Sequence, residues 1–271
     1  MSQRQGEPPE LAECKPAIRC LPLPPFEAGD LNAVQRVFRN ATPCPLHQAW
    51  REKAEVLSKP CRSRRKEAWK SRKTRPPYVG SYSFESASTE PNFAPGVVRI
   101  GWQGDSLLVL AELTDADIFT RASGHNQRFW ELGDTFELFL RPVEQLAYFE
   151  YHVTPNNCRL QARFAGAAMH QRLAETGAFE EALMAGELFT SKTWVRAETR
   201  QWFVFAEIPA SSVCEPVRPL AGSEWRFSFS RYDYTRGQAE PVISSTSPHA
   251  QPDFHRQEEW GAITFTNRAD A

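Results

Sequence analysis

Short stretches of alternating hydrophobic and polar residues fill the chain from about residue 95 onward, and they restrict the fold more than any other feature. A period of two residues is typical of β-strands that bury one face. The nine stretches are VVRIGW, SLLVLAEL, DTFELFL, AYFEYHV, CRLQARF, TWVRAE, WFVFAEI, EWRFSFSRY and AITF. Helical periodicity is confined to about 175–188 and about 45–56. The sequence therefore predicts an all-β fold, a jelly-roll-like antiparallel β-sandwich with a short helix or two in its loops.

Composition excludes several classes of protein. The 32 Lys and Arg residues balance 33 Asp and Glu residues, so the chain is not a globally basic nucleic-acid binder. No run approaches the roughly 18 apolar residues of a membrane-spanning helix, and the first residues lack the apolar core of a signal peptide. We therefore expect no membrane partner; the compartment stays open, with a cytoplasmic location as the default. The six cysteines are too widely spaced for a disulfide framework.

The domain organisation follows from proline and charge. Six prolines among the first 25 residues predict an N-terminal tail over 1–25. Nine cations lie within seventeen residues, from Lys59 to Arg75, and predict a basic insertion at about 56–90. The insertion is expected to be solvated, with a polyanion contact that uses Trp69 as the alternative. The sandwich domain would then cover 26–266, followed by a C-terminal tail over 267–271.

Alternation assigns side chains to the two faces of each strand. The predicted core residues are Phe136, Leu138, Leu140, Tyr151, Val153, Phe227 and Phe229. The opposite faces carry Glu137, His152, Thr154, Ser228 and Ser230. Such polar groups, with aromatic rings nearby, suit a polyhydroxylated ligand. An ordinary solvated sheet face is the alternative.

Several segments, in order and spacing, resemble the family 9 carbohydrate-binding modules. They are Val98-Arg99-Ile100, Leu113-Thr114-Asp115, Trp130-Glu131, Asp134-Thr135-Phe136-Glu137-Leu138-Phe139, Tyr148 to Asn156 (YFEYHVTPN), Glu207-Ile208-Pro209, Trp225 to Tyr232 (WRFSFSRY), Asp253-Phe254-His255 and Trp260 to Phe265 (WGAITF). The likeness covers about 97–265. It implies a jelly-roll-like sandwich that binds the terminal sugar of an oligosaccharide or polysaccharide without cleaving it, as bacterial-type accessory domains do.

The resemblance also implies which residues bind. In the family two aromatic rings clamp a sugar, and polar side chains hydrogen-bond its hydroxyls. By position, Trp130 and Phe254 correspond to the two rings and Glu137 to a hydroxyl-binding glutamate. His152 and Thr154 stand where family members have arginine and asparagine, which is a departure from the family pattern.

The only cofactor that the resemblance implies is structural calcium, because relatives bind this ion. Asp115 and Asp117 are the candidate ligands, although calcium takes six to eight oxygens. No catalytic residues are predicted.

Two other functions stay open at this point. A glycoside hydrolase would use Glu137 and Glu150 as its acid and base, if the two converge on one cleft. A haem or redox module of the DOMON type, which shares the sandwich, would need an axial pair such as Met169 and His170.

Overall fold

The computed structural model describes residues 15–48 and 92–267. All nine predicted strands are present, and the described residues form three more. The strands are β1 (Ala17–Cys20), β2 (Pro43–Pro45), β3 (Gly96–Gln103), β4 (Ser106–Thr114), β5 (Thr135–Pro142), β6 (Tyr148–Val153), β7 (Arg159–Phe164), β8 (Thr190–Arg196), β9 (Gln201–Pro209), β10 (Glu224–Asp233), β11 (Val242–Ser245) and β12 (Gly261–Phe265). Two α-helices are α1 (Leu31–Phe38) and α2 (Ala167–Thr176).

The strands form two sheets packed face to face. The seven-stranded sheet has the order β1-β12-β10-β5-β6-β7, with β11 paired to the second half of β10. The five-stranded sheet has the order β2-β3-β4-β9-β8. Every pairing is antiparallel except that of β1 with β12. The predicted all-β sandwich is confirmed.

The main core lies between the two sheets and is built as the alternation predicts. Every core residue predicted from the sequence is at most 1% exposed in this cluster. Phe227 and Leu140 are cross-strand partners, as are Phe229 and Leu138, so the two strands present one continuous apolar surface. Large side chains of β9 and β10, including Trp202 and Trp225, complete the core.

The outer face of the five-stranded sheet is covered by α1. Asp30 caps this helix, because its carboxylate accepts the Asn32 N–H at 2.9 Å. Val34 and Phe38 lie one helical turn apart and pack on Leu108, Leu110 and Phe205. The sequence patterns did not identify this eight-residue helix.

The outer face of the seven-stranded sheet is also covered, so the alternative of an ordinary solvated face is wrong. The α2 segment and the loop between β11 and β12 fold over it, and Leu173 and Trp260 pack on Phe139, Tyr148 and Phe164. The polar residues of that face are therefore buried: Glu137, Glu150, His152, Thr154, Ser228 and Ser230 are each at most 3% exposed.

Residues 17–20 lie inside the region predicted as a tail, yet they form a strand of the sheet. Ile18 and Cys20 are buried, and Ile18 pairs with Ile263 of β12. Prolines flank this strand instead of interrupting it, which an edge position tolerates. The sheet therefore begins before residue 26.

The remaining expectations on organisation have mixed outcomes. The helix expected at about 175–188 lies earlier in the chain, because Gly177, at φ 70°, ends α2 in the left-handed conformation. The expected helix at about 45–56 is absent from its described part, 45–48, where Pro45 ends β2. The basic insertion at about 56–90 lies outside the described residues, as do 1–14 and 268–271. Within 15–48 and 92–267, no helix has the length and apolarity to cross a bilayer.

Candidate functional site

A pocket of about 400 Å³ opens on the outer face of the seven-stranded sheet. Four of the five residues predicted from the sequence line this pocket: Trp130, Glu137, His152 and Phe254. The other lining side chains with polar or aromatic groups are Arg128, Phe139, Glu150, Phe164, His170, Phe179, Tyr232, Asp253 and His255. This volume falls in the range of small-molecule sites.

The floor of the pocket is made by β5 and β6. Glu137 is the direct cross-strand partner of His152, and Phe139 is the partner of Glu150. The two pairs are two residues apart along the strands, so all four side chains point to the same face. The antiparallel register therefore places two carboxylates, one imidazole and one phenyl ring side by side.

Trp130 forms one wall of the pocket. It lies in a short 3-10 turn, Phe129–Glu131, which the fully buried Phe129 anchors. The indole is half-buried and meets the ring of Phe179 edge-on, with 4.8 Å between centroids. The Tyr234 hydroxyl donates to the Trp130 carbonyl and fixes the turn. The indole is thus rigidly held and still open to the pocket.

Phe254 forms another part of the wall and is more enclosed than Trp130. It is only 4% exposed, and its ring contacts Tyr232 edge-on at 5.7 Å and Phe139 at 6.1 Å between centroids. The Trp260 indole N–H donates to the Phe254 carbonyl at 2.8 Å and holds the loop on the sheet. Phe254 therefore lies on the same side of the sandwich as Glu137.

The pKa values of the two floor carboxylates are shifted in opposite directions. Burial, partly offset by His152, raises the pKa of Glu137 to about 7. Burial acts in the same direction on Glu150, but His255 and His152 outweigh it and lower its pKa to about 2. Glu150 Oε1 lies 3.0 Å from His255 Nδ1, and Glu150 Oε2 lies 3.5 Å from His152 Nε2. Glu137 Oε1 lies 3.2 Å from His152 Nδ1.

Two histidines stack at the edge of the pocket. The rings of His170, from α2, and His255 are 3.5 Å apart between centroids and nearly parallel. Burial lowers the pKa of His255, but the charge and hydrogen bond of Glu150 outweigh it and raise the pKa above its usual value. Burial and the His255 charge lower the pKa of His170 to about 4. The stack therefore joins two imidazoles whose pKa values are shifted in opposite directions.

Sequence analysis missed Phe179 and His170 as lining residues. Phe179 and His170 come from the segment that folds over the sheet, where no strand alternation assigns a face. The one sequence signal for the end of this helix was the glycine at position 177. Gly177 adopts the left-handed conformation and ends α2, and Phe179 then meets Trp130.

Thr154 does not reach the pocket. Its hydroxyl donates to Asn156 Oδ1 at 2.6 Å and accepts the Cys158 N–H at 3.0 Å. It is fully buried in the turn between β6 and β7. The structure therefore places Thr154 in that turn and not beside the other four predicted residues.

The two candidate calcium ligands have different side-chain partners, although the Asp117 N–H donates to Asp115 Oδ1 at 2.8 Å. Asp117 pairs with Arg236 through its side chain and accepts the Arg236 backbone N–H at 2.7 Å. Asp115 instead joins Asp134 and Asp233 in a buried group whose carboxylate oxygens lie within 4.8 Å of one another.

A buried arginine balances part of the charge of this group. Arg231 lies 2.8 Å from Asp115 and 3.1 Å from Asp233, and it is 0% exposed. Both oxygens of Asp134 accept backbone N–H groups, yet burial raises the pKa of Asp134 to about 8. Carboxylate oxygens are suitable calcium ligands, but three carboxylates fall short of the usual number of ligands for this ion. Calcium binding stays a prediction, and Asp117 lies outside the group.

Two solved structures share this architecture. One is a candidate carbohydrate-binding protein from Bacteroides uniformis, with a TM-score of 0.62 and 16% identity, covering 92% of this chain and 98% of its own. The other is a family 9 carbohydrate-binding module from Caldicellulosiruptor kristjanssonii in complex with cellotriose, with a TM-score of 0.55 and 16% identity, covering 94% of this chain and 96% of its own.

No family model and no curated protein matches the chain. The structural likeness shows that this chain has the β-sandwich fold of the family 9 carbohydrate-binding modules. The resemblance seen in the sequence is confirmed at the level of the fold.

Proposed function

We propose that this chain is a non-catalytic carbohydrate-binding domain and that the pocket beside Trp130 holds a sugar. The observation that carries the proposal is the combination, in one pocket, of a half-buried indole with the buried Glu137 and His152. A sugar ring presents an apolar face of C–H groups and a rim of hydroxyls. The flat ring suits the face, and the carboxylate and imidazole suit the rim.

The role of each residue follows from its exposure and contacts. Trp130 is the accessible ring, so it would stack on the sugar, whereas Phe254 is nearly enclosed and would contact the sugar through its edge. Glu137 would accept a hydroxyl, since its contact with His152 involves one oxygen, Oε1. The neighbour from Caldicellulosiruptor kristjanssonii, which has the same fold, holds cellotriose. This supports an oligosaccharide as the ligand class.

The contacts of Glu150 argue against a glycoside hydrolase. Glu137 and Glu150 do line one pocket, and their pKa values are shifted apart, as an acid and a base require. However, each oxygen of Glu150 faces a histidine, His255 on one side and His152 on the other. Both oxygens of the candidate base therefore already face an imidazole.

The haem alternative is not supported by its candidate axial pair. Met169 and His170 are neighbours in α2, and Met169 Sδ accepts the Ala165 N–H at 3.3 Å. Axial ligands approach a planar macrocycle from opposite faces, which adjacent residues of one helix cannot do. His170 is also stacked on His255.

Calorimetric titration of the full chain with cello- and xylo-oligosaccharides, preceded by a glycan array, tests the proposal. We expect saturable binding of at least one oligosaccharide and no turnover of aryl glycosides. Absence of binding across the array would contradict sugar recognition. Turnover that vanishes in Glu137→Gln would show instead that the pocket is catalytic.

A further inference from the structure

A second cavity, of about 470 Å³, lies beside the pocket that Trp130 borders. His255 lines both of these spaces. Arg141 lines the second cavity, and it follows Glu137 and Phe139 on the same face of β5. Arg141 comes four positions after Glu137 in the sequence, which is about 13 Å along an extended strand. A chain of linked sugar rings is long enough to reach from one space to the other.

Arg141 has a second arginine directly beside it on the sheet. Arg141 and Arg226 are cross-strand partners on β5 and β10, and both occupy the outer face. Like charges in this arrangement repel each other. Burial and the charge of Arg226 accordingly lower the pKa of the Arg141 guanidinium. A neighbouring anion would relieve this repulsion.

The charge of Arg141 is not balanced by a nearby acid. Among the residues that the structure describes, no carboxylate pairs with Arg141, whose Nη1 donates to the Gln145 carbonyl at 3.2 Å. The Nε atom of Arg141 is buried and has no hydrogen-bond partner there. Arg226 differs, because Glu224 of its own strand lies 3.5 Å away. Buried donors are normally hydrogen-bonded, so Arg141 is the group of this cavity that calls for an acceptor from a ligand.

The other walls of the second cavity suit an organic ligand. They include the small or apolar residues Leu146, Ala165, Ala167, Ala168 and Met169. Leu146 is 78% exposed, so its apolar surface is open to a ligand. Glu258 also lines the cavity, but its carboxylate lies 3.1 Å from Arg256. A mainly apolar lining with one convergent cation is typical of a site for a small organic anion.

We propose that the second cavity binds the carboxylate of an acidic saccharide and that Arg141 recognises it. The inference rests on the proposed function and narrows its ligand class to oligosaccharides that contain a uronic acid. One ring of the ligand would stack on Trp130, while the carboxylate of a linked uronic acid accepts from Arg141. The planar guanidinium matches a carboxylate in shape. Free phosphate or sulfate offers an arginine the same chemistry, so the experiment must separate the two sources.

Matched calorimetric titrations of the full chain test the inference. The ligands are oligogalacturonides and xylo-oligosaccharides with a glucuronic acid branch. Each is compared with its methyl ester, which keeps the sugar chain and removes the charge. Sodium sulfate and sodium phosphate provide oxyanions without a sugar. We expect at least one acid to bind about tenfold or more tightly than its ester, the size of one charge-assisted hydrogen bond.

Variants and salt assign this preference to Arg141. In Arg141→Gln the ratio of acid to ester affinity should fall to about one, while the affinity for the ester stays unchanged and shows that the variant is folded. Arg172→Gln is the matched control, because Arg172 pairs with Glu181 and lies outside the cavity lining. It should keep the wild-type ratio. Added salt should lower the ratio in the wild type, a measurement that needs no variant.

The outcomes separate this inference from the proposed function. Equal affinity for acids and esters overturns the carboxylate inference and leaves sugar binding intact. A preference for acids that persists in Arg141→Gln also overturns it, because the carboxylate then binds elsewhere. Sulfate or phosphate binding that depends on Arg141, without any preference for acidic saccharides, overturns the assignment to a saccharide. No binding of any oligosaccharide overturns both the inference and the proposed function.

Discussion

Glu137 and His152 face each other directly across β5 and β6, with 3.2 Å between Oε1 and Nδ1. Each occupies the non-core side of its strand, and a second layer of structure closes over both. The pair is therefore almost completely buried and still borders the pocket. Its position gives the pocket a titratable floor, which the prediction on pH dependence below uses.

Replacing the accessible ring should weaken sugar binding. Trp130→Ala is expected to lose about 1–3 kcal/mol of binding free energy, by analogy with aromatic stacking on bases, which is about tenfold to over a hundredfold in affinity. Trp194→Ala is the matched control, because Trp194 is also half-buried but lies on the five-stranded sheet. Calorimetry with the best oligosaccharide measures both. Unchanged affinity in Trp130→Ala would remove this residue from the site.

Glu137 should make the protein less stable as the pH rises. Its pKa is raised from 4.5 to about 7, so the folded state binds more protons than the unfolded state between these values. The free energy of unfolding therefore loses this contribution as the pH rises through that window. Glu137→Gln should be more stable than the wild type at pH 8, by up to about 3 kcal/mol.

Urea unfolding at a series of pH values checks this difference. The gain of Glu137→Gln over the wild type should shrink as the pH falls towards 4, where both side chains are neutral. A difference between the two proteins that does not vary with pH would contradict the raised pKa.

The predicted core can be tested at Phe227. This residue is fully buried between the sheets, so Phe227→Ala should cost about 3–5 kcal/mol of unfolding free energy. Leu146→Ala provides the contrast, since Leu146 is 78% exposed and its loss should change stability by less than about 0.5 kcal/mol. Urea unfolding measures both variants, and equal losses would contradict the assigned core.

Replacing the buried Arg231 should destabilise the protein more than replacing the exposed Arg236. Arg231→Met removes the positive charge facing Asp115 and Asp233, and breaking a buried pair in this way costs about 3–5 kcal/mol. Arg236→Met breaks the pair with Asp117, but that arginine side chain is 63% exposed, so the loss should stay below about 1 kcal/mol. Chemical denaturation measures the loss of unfolding free energy in each variant. A similar small loss in both would show that the carboxylates of the buried group are neutral.

Much of the fold and part of the site could be predicted from the sequence. A period of two residues indicates a β-strand with one buried face. The nine strands and core residues such as Phe229 can therefore be predicted from the pattern itself. The same rule places Glu137 and His152 together on the opposite side. It uses only local geometry, and it therefore holds before any tertiary contact is known.

Only the tertiary structure decided what covers that opposite face. Alternation cannot distinguish a solvated face from one under a second layer, because both carry polar side chains. The layer exists because Leu173 and Trp260 bury apolar surface against Phe139 and its neighbours, contacts between segments far apart in sequence. The same long-range packing brings Phe179 to Trp130 and His255 to Glu150. It also pairs β1, which lies in the proline-rich first 25 residues, with β12. Local pattern therefore determines which side chains share a face, whereas distant packing determines whether that face meets water, protein or a ligand.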